Sequence, residues 1–306
     1  MSSLVVDVLA GGIAGGTSIM YAALGETVGE RAGVLNLGTE GSMLAGALTA
    51  YAVTAETGNP WIGIATAAVA GSALALVHAY LVVWRGANQM ASGLTVLFLA
   101  LGVTSLYGAA YVGRTVHGLG TWAVPGLSKL PVVGPVLFDH DPLVYLGYLL
   151  VPVVWWVLFT TRVGLLVRTA GERAEALTVH GYDVRTMRAL AVGAGGLLAG
   201  VGGAHLSIAY ANAWFENMVS GRGFIAVALV IFAVWNPFRV LGGAYLFGMA
   251  LALGSALQAR GYEVNQFLLD AVPFLLTLAV LAVLGRRTLT ASPGELKRVF
   301  ENAPSG

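Results

Sequence analysis

Nine apolar stretches, at residues 4–24, 34–53, 61–84, 91–112, 142–159, 189–210, 223–235, 240–257 and 267–284, make up most of this 306-residue chain. A helix rises about 1.5 Å per residue, so roughly 20 apolar residues cross the ~30 Å hydrocarbon core of a bilayer. Apolar residues form 57% of the chain and charged residues only 10%, where a soluble domain carries about 25% charge. No water-soluble core of this length hides that much apolar surface, so the solvent is lipid. The expected fold is an all-α integral membrane protein of about nine transmembrane helices, within a range of eight to ten.

The seventh stretch is the exception. At 13 residues it is about 20 Å long as a helix, and Asn236-Pro237 should stop it. Charge decides whether it crosses. With nine crossings and a cytoplasmic C-terminus, Arg31, Arg85, Arg162, Arg168, Arg173, Arg185, Arg188, Arg239, Arg286, Arg287, Lys297 and Arg298 face the cytoplasm, and Arg114, Lys129, Arg222 and Arg260 face outward, a split of 12 to 4. If the seventh stretch re-enters instead, the split becomes 8 to 8. The positive-inside rule favours nine crossings, N-terminus outside and C-terminus in the cytoplasm of a cell's inner or plasma membrane. Residues 1–285 then form the transmembrane domain, with an external loop at 113–141 and a charged cytoplasmic loop at 160–188. Residues 286–306, with Pro293 and Pro304, form a short polar tail, expected to be partly disordered. The start, Met1-Ser2-Ser3-Leu4, has no basic region before its apolar run and is expected to be a retained span.

Several chemistries are excluded. Net charge is +1, so no global field points to nucleic acid, and the absence of cysteine removes disulfides and thiolate metal sites. Of the two lysines, Lys129 and Lys297, neither lies in a phosphate-binding G-x-x-x-x-G-K-[ST] loop. No H-E-x-x-H or G-x-S-x-G motif occurs. The expectation is a non-enzyme that binds no cofactor itself, its energy coming from a separate subunit or an ion gradient.

Two constellations stand out. In the cytoplasmic loop, Glu172, Arg173, Glu175 and Ala176 favour a helix that Gly181 would end. At two to three turns it is too short to stand alone in water; it is either an ordinary charged loop or a docking element. Gly171-Glu172 followed by Glu175-Ala176-Leu177-x-x-x-Gly181 resembles the EAA-type coupling loop of ABC importer permeases, with Leu177 in place of the second Ala. The other constellation is Gly29-Glu-Arg-Ala-Gly-Val-Leu-Asn-Leu-Gly-Thr-Glu-Gly-Ser-Met43. Its polar Asn36, Thr39 and Glu40 lie among glycines that loosen a helix near one membrane face. They read either as a polar pathway wall or as a network bonding loose backbone. Glu40 should pair with Arg31 or another cation, or sit near water.

This second motif strongly resembles the nucleoside and simple-sugar branch of ABC importer permeases, a family that includes branched-chain amino acid and ribose permeases. The resemblance continues at Ala91-Ser-Gly-Leu-Thr and at Gly221-Arg-Gly-Phe-Ile-Ala-Val-Ala, running on to Trp235-Asn-Pro237. It implies the ribose/branched-chain amino acid type of permease fold. It also implies a cytoplasmic ABC ATPase that holds the ATP and Mg, a second permease forming a heterodimer, and an extracytoplasmic substrate-binding lipoprotein. Glu172, Glu175, Ala176 and Gly181 would make the ATPase coupling contact; Asn36, Thr39, Glu40 and Ser92 would line the pathway. The expected solute is a nucleoside or simple sugar, with a branched-chain amino acid as the alternative within the family and an ion-coupled secondary transporter as the alternative outside it.

Remaining groups favour structural roles. His78, His205 and Asp270 inside spans lie at unmatched depths, each an interior contact rather than a proton relay. Trp214, Phe215 and Phe224 read as an interfacial aromatic belt, or as an entrance that meets a binding protein or stacks a base, and the pairs Gly11/Gly15, Gly12/Gly16 and Gly196/Gly200 as close-packing sites.

Overall fold

The computed structural model describes residues 3–262, together with 265, 268, 269, 271–273, 275, 278, 279 and 293–296. Most of the expected span at 267–284, including Asp270, and most of the tail at 286–306 lie outside the described residues. In chain order the helices are α1 (Leu4–Arg31), α2 (Thr39–Thr57), α3 (Pro60–Ala79), α4 (Gln89–Gly108), the short α5 (Val133–Leu137), α6 (Pro142–Thr160), α7 (Arg162–Glu172), α8 (Ala174–Val179), α9 (Val184–His205), α10 (Arg222–Phe232) and α11 (Pro237–Gln258). A two-residue ribbon, β1 (Trp122–Ala123) and β2 (Asp139–His140), pairs antiparallel in the long loop before α6. π-helical turns extend α3 to Trp84 and α9 to Tyr210.

Among the described residues, six helices are long and apolar enough to cross a bilayer: α1, extended α3, α4, α6, extended α9 and α11. Two expected spans differ. The 34–53 stretch begins as non-helical chain, and α2 starts only at Thr39. The 223–235 stretch becomes α10, just 11 residues long. Conversely, α1 passes Leu24 and continues to Arg31, because Glu26 and Glu30 are buried with partners and so do not stop it.

Three helix starts share one device. Asn59-Pro60, Asp141-Pro142 and Asn236-Pro237 each put a side-chain acceptor before a proline, and each side chain accepts a backbone N–H of the first turn. Asn236-Pro237 thus starts α11 as much as it ends the stretch before it.

The core is built on α9. Gly195 faces Gly25 of α1, Gly200 faces Gly46 of α2, and Gly196 lies against Gly71 of α3, with backbone atoms occupying the space that a side chain would need. Small residues let helices approach this closely without water to drive them together. The glycine pairs of α1 act likewise: Gly12 lies on Met249 and Gly16 on the Ala244 carbonyl, both of α11. Contacts fix the two ends of the bundle. At one, Arg260 beyond α11 donates to Asp7 of α1 at 2.7 Å. At the other, Arg31 donates to the Trp235 carbonyl, and Arg188 to the Ala32 carbonyl.

Candidate functional site

The chain between α1 and α2 is held from every side. Glu26 accepts the Asn36 N–H at 2.7 Å with one oxygen and the Thr39 hydroxyl at 2.8 Å with the other. The Asn36 side-chain oxygen accepts the Gly38 N–H at 2.9 Å, and Gln89 accepts the Leu35 N–H at 2.8 Å. His78 lies 3.1 Å from both the Leu35 carbonyl, through Nε2, and the Ser92 hydroxyl, through Nδ1. A carbonyl only accepts, so Nε2 carries a proton there, while Nδ1 shares a hydrogen bond with the Ser92 hydroxyl. The N–H groups of Leu35, Asn36 and Gly38 and the Leu35 carbonyl, freed by breaking the helix, thus find partners, as burial in a bilayer requires.

A second break lies alongside. After Tyr210 the chain turns through Asn212, Asn217 and Ser220, all at positive φ, to Gly221 (φ +84°), and α10 then begins. The two oxygens of Glu40 accept the Gly221 N–H at 2.7 Å and the Gly223 N–H at 2.6 Å. A carboxylate therefore closes the positive end of a half-length helix. The far end of α10 leads to Val234 and Trp235, again at positive φ, and the Trp235 indole N–H donates to Glu30 at 2.5 Å. Glu26, Glu30 and Glu40 are all at most 4% exposed.

These contacts correct several expectations. Glu40 pairs with backbone N–H groups, not with Arg31, which instead reaches the Trp235 carbonyl and lies 5.4 Å from the Phe159 ring centre. Trp214 is no part of an interfacial belt: it is 1% exposed and packs against Gly108 of α4, while Phe215 and Phe224 are exposed. Arg222 donates to the Met218 and Val219 carbonyls beside the Glu40 cap. His205 meets Asp141 at 3.3 Å. Asn36, Thr39, Glu40 and Ser92 come together at the breaks, all buried.

The residues expected to couple to an ATPase sit elsewhere. Thr161 caps α7, and a tight elbow brings Gly164 against the Val157 and Leu158 carbonyls. The expected single helix is two: Glu172 ends α7, Arg173 breaks it at φ −148°, and α8 runs only six residues. The break turns Leu177 inward, at 3% exposure, and Val179 outward, at 85%. Gly181 (φ +81°) ends α8, with its N–H on the Thr178 carbonyl and the Tyr182 N–H on the Leu177 carbonyl, both at 3.0 Å. Asp183 then caps α9, and its carboxyl is held below the usual aspartate range by the Thr186 hydroxyl and the Arg185 N–H. Glu172, Glu175, Gly181 and Tyr182 are exposed and Ala176 is half-buried.

Sequence reasoning missed Glu26, Glu30, Gln89 and Arg188. The available signal was the spacing of Glu26 and Glu30, four apart and so on one helix face, at the end of an apolar run.

The family model described as "Branched-chain amino acid transport system / permease component" matches residues 8–281. The chain is 40% identical over 294 residues to a Haloferax volcanii ABC transporter permease provisionally assigned to glucose, covering 89% of each chain. It is 34% identical to the guanosine ABC transporter permease protein of Bacillus subtilis, over 88% of this chain and 89% of the relative. With the nucleoside ABC transporter permease protein of Lactococcus lactis the identity is 33%, over 87% and 88%. No solved structure matches. Matched by the family along almost its whole length, and aligned end to end with sugar and nucleoside permeases, the chain belongs to the branched-chain amino acid transport system/permease component family and is the membrane-spanning permease subunit of an ABC importer.

Proposed function

We propose that this permease carries a nucleoside or simple sugar inward by alternating access, driven through α8 by a separate ATPase that holds the ATP and Mg. The carrying observation is the exposed tip of the α7–α8 elbow. Val179 and Tyr182 are apolar or aromatic, exposed, and flanked by Glu172, Glu175 and Gly181, while Leu177 anchors the segment from behind. So short a helix is stable only when docked. Glu172, Glu175, Ala176 and Gly181 form the proposed ATPase contact. The test is co-purification of the co-expressed ATPase with the double variant Glu175→Lys, Gly181→Trp. Loss of the ATPase from a folded permease is expected; unchanged association would overturn the assignment.

The bundle ends support nine crossings with the N-terminus outside. Asp7 and Arg260 share one end. At the other, Glu295 meets Arg188 at 3.4 Å, and the Gly294 N–H lies on Glu172. Tyr262 and Pro293 thus belong to opposite ends. The half-helix α10 completes a crossing whose outer half is the non-helical chain at 211–221. Positively charged Arg162, Arg168, Arg173 and Arg185 cluster on the α8 side, which the positive-inside rule assigns to the cytoplasm of a plasma or inner membrane.

A nucleoside or sugar is polar but uncharged. At the outer end, a cavity of about 610 Å³ is lined by Tyr51, Glu56, Tyr111, Arg114 and His117, a mixture of rings and hydrogen-bonding groups suited to such a solute. Deeper in, Asn36, Thr39, Glu40 and Ser92 are the proposed polar wall. The partners of the proposal are a second, different permease chain, the ATPase and an external binding lipoprotein. Uptake assays with labelled guanosine, glucose and leucine on the assembled transporter decide the solute class; uptake of leucine alone would favour the branched-chain amino acid alternative.

A further inference from the structure

We infer that Arg188 is the positioning residue that couples the α7–α8 elbow to the break between α1 and α2. This rests on the reading of α8 as the ATPase contact.

One guanidinium reaches three elements. Its Nε donates to the carbonyl of Ala32, the residue that closes α1, at 3.2 Å. Its Nη2 donates to the carbonyl of Ala170, in the last turn of α7, at 2.9 Å, and lies 3.4 Å from Glu295. The last carbonyls of a helix lack intrahelical partners and carry the negative end of its dipole. Here two helix C-termini converge on one cation. The backbones also touch. Gly33, at φ +87°, lies against Gly171: a Cβ on Gly33 would sit 3.2 Å from the Gly171 Cα, and one on Gly171 would sit 2.9 Å from the Gly33 nitrogen. No side chain fits between, so the end of α7 and residues 31–33 form one body, fastened by Arg188.

The consequence runs both ways from this joint. Glu172 follows Gly171, and α8 starts two residues later. In the other direction, Leu35 is held by His78 and Gln89, Asn36 by Glu26, and Glu40 holds α10 by its N-terminus. A displacement of α8 therefore reaches the two breaks without passing through a long helix. The contiguous element required for coupling is the chain from Ala32 to Glu40. Lysine does not replace arginine here, because a single ammonium lacks the planar fork that serves two carbonyls at once.

The test uses the whole transporter in proteoliposomes with its ATPase, second permease and binding protein, measuring ATP hydrolysis and guanosine uptake together. For Arg188→Gln, the ATPase should co-purify at the wild-type level and hydrolysis should stay within about twofold, while uptake per ATP falls at least tenfold. Arg188→Lys keeps the charge and tests the same ratio should the Gln variant not fold; a fall of at least threefold is expected. A ratio unchanged in the Lys variant overturns the inference, as does loss of ATPase binding in either variant, since that would place Arg188 in the docking contact itself. Failure of the underlying coupling reading shows separately, as unchanged ATPase association in the Glu175→Lys, Gly181→Trp protein.

Discussion

Replacing Glu40 tests whether its carboxylate works as the cap of α10. In Glu40→Ala, the N–H groups of Gly221 and Gly223 lose acceptors at 2.7 and 2.6 Å. Leaving a buried donor unsatisfied costs about 1–3 kcal/mol, and the bilayer offers no water in exchange. The loss is therefore about 2–6 kcal/mol, with the favourable carboxylate–dipole term removed at the same time. Glu40→Gln keeps one acceptor oxygen but turns an NH2 donor toward the other N–H, so it should fall between wild type and Ala.

Reversible unfolding of the detergent-solubilised permease in increasing SDS, followed by tryptophan fluorescence, reads these differences. Of the seven tryptophans, Trp214 and Trp235 are each 1% exposed and flank α10 in sequence, so part of the signal reports on this region. Gly223 supplies the internal check. A Cβ there would lie 2.5 Å from the Glu40 Cα, so Gly223→Ala must push the cap away. In the double variant Glu40→Ala, Gly223→Ala, the losses should fall short of additive by the cap's share, because both remove the cap, while the clash with the Glu40 backbone persists. A Glu40→Ala protein within about 0.5 kcal/mol of wild type, the scale of an ordinary surface change, would refute the capping role. So would additive losses in the double variant.

Other consequences are more local. Gly200→Ala forces a methyl into the Ala67 carbonyl and should destabilise by about 1–3 kcal/mol or more, whereas Gly242→Ala on α11 meets open space and should be neutral or stabilising by up to about 1 kcal/mol in the same SDS titration. Trp235→Phe removes the donor to Glu30 and should cost about 1.5–3 kcal/mol, read by SDS unfolding monitored by circular dichroism. Gly181→Ala puts a Cβ at φ +81° and should weaken the end of α8 by about 1–2 kcal/mol, seen as faster hydrogen exchange at residues 178–182 with α9 unchanged. Asp183 titrates below the ordinary aspartate value in the folded chain, so its cap is fully present above that value, near 3.8, and is lost as pH falls through the lower folded one. Hydrogen exchange at the first turn of α9 should rise in that window in wild type, and Asp183→Asn should lack the rise.

Much of the fold was legible because lipid leaves a coarse signature. Long uncharged runs locate α1, α3, α4, α6, α9 and α11, and small-xxx-small spacing located the contacts of Gly12, Gly16, Gly196 and Gly200. The same signature fails where polarity is satisfied internally. Glu26 and Glu30 look like a helix end, yet α1 continues through both, because the Asn36 N–H, the Thr39 hydroxyl and the Trp235 indole meet them from elsewhere in the chain. Residues 34–38 look like apolar helix, yet Gly33 at positive φ and the Gln89 and His78 bonds hold them open. The partner of Glu40 lies 181 residues away, and a backbone N–H leaves no mark in a list of charged residues. At the α7–α8 elbow, the positions of Glu175 and Gly181 were readable from spacing. The break at Arg173 was not, since it depends on Gly171 seating against Gly33.

The two breaks share one physical logic. A helix interrupted inside a bilayer exposes donors and acceptors that only protein can satisfy, and here Glu26, Gln89 and His78 meet groups of one break and Glu40 meets those of the other. Such an arrangement is stable but not uniform. Val234 is β-branched and sits at φ +54°, and Asn212, Asn217, Ser220 and Trp235 are also left-handed, so strain gathers at both ends of α10 and is absent from α9. The short α10 is held at one end by Glu40 and at the other by Glu30 through Trp235, and between them it buries Ile225, Ala226, Val227, Leu229 and Val230 in the core. The glycine contacts between α9 and α1, α2 and α3 are backbone against backbone and tolerate little sliding. A reorientation that spares this backbone packing would work through α10, the 32–38 segment and the α7–α8 elbow, the last two joined by Arg188 near the start of α9.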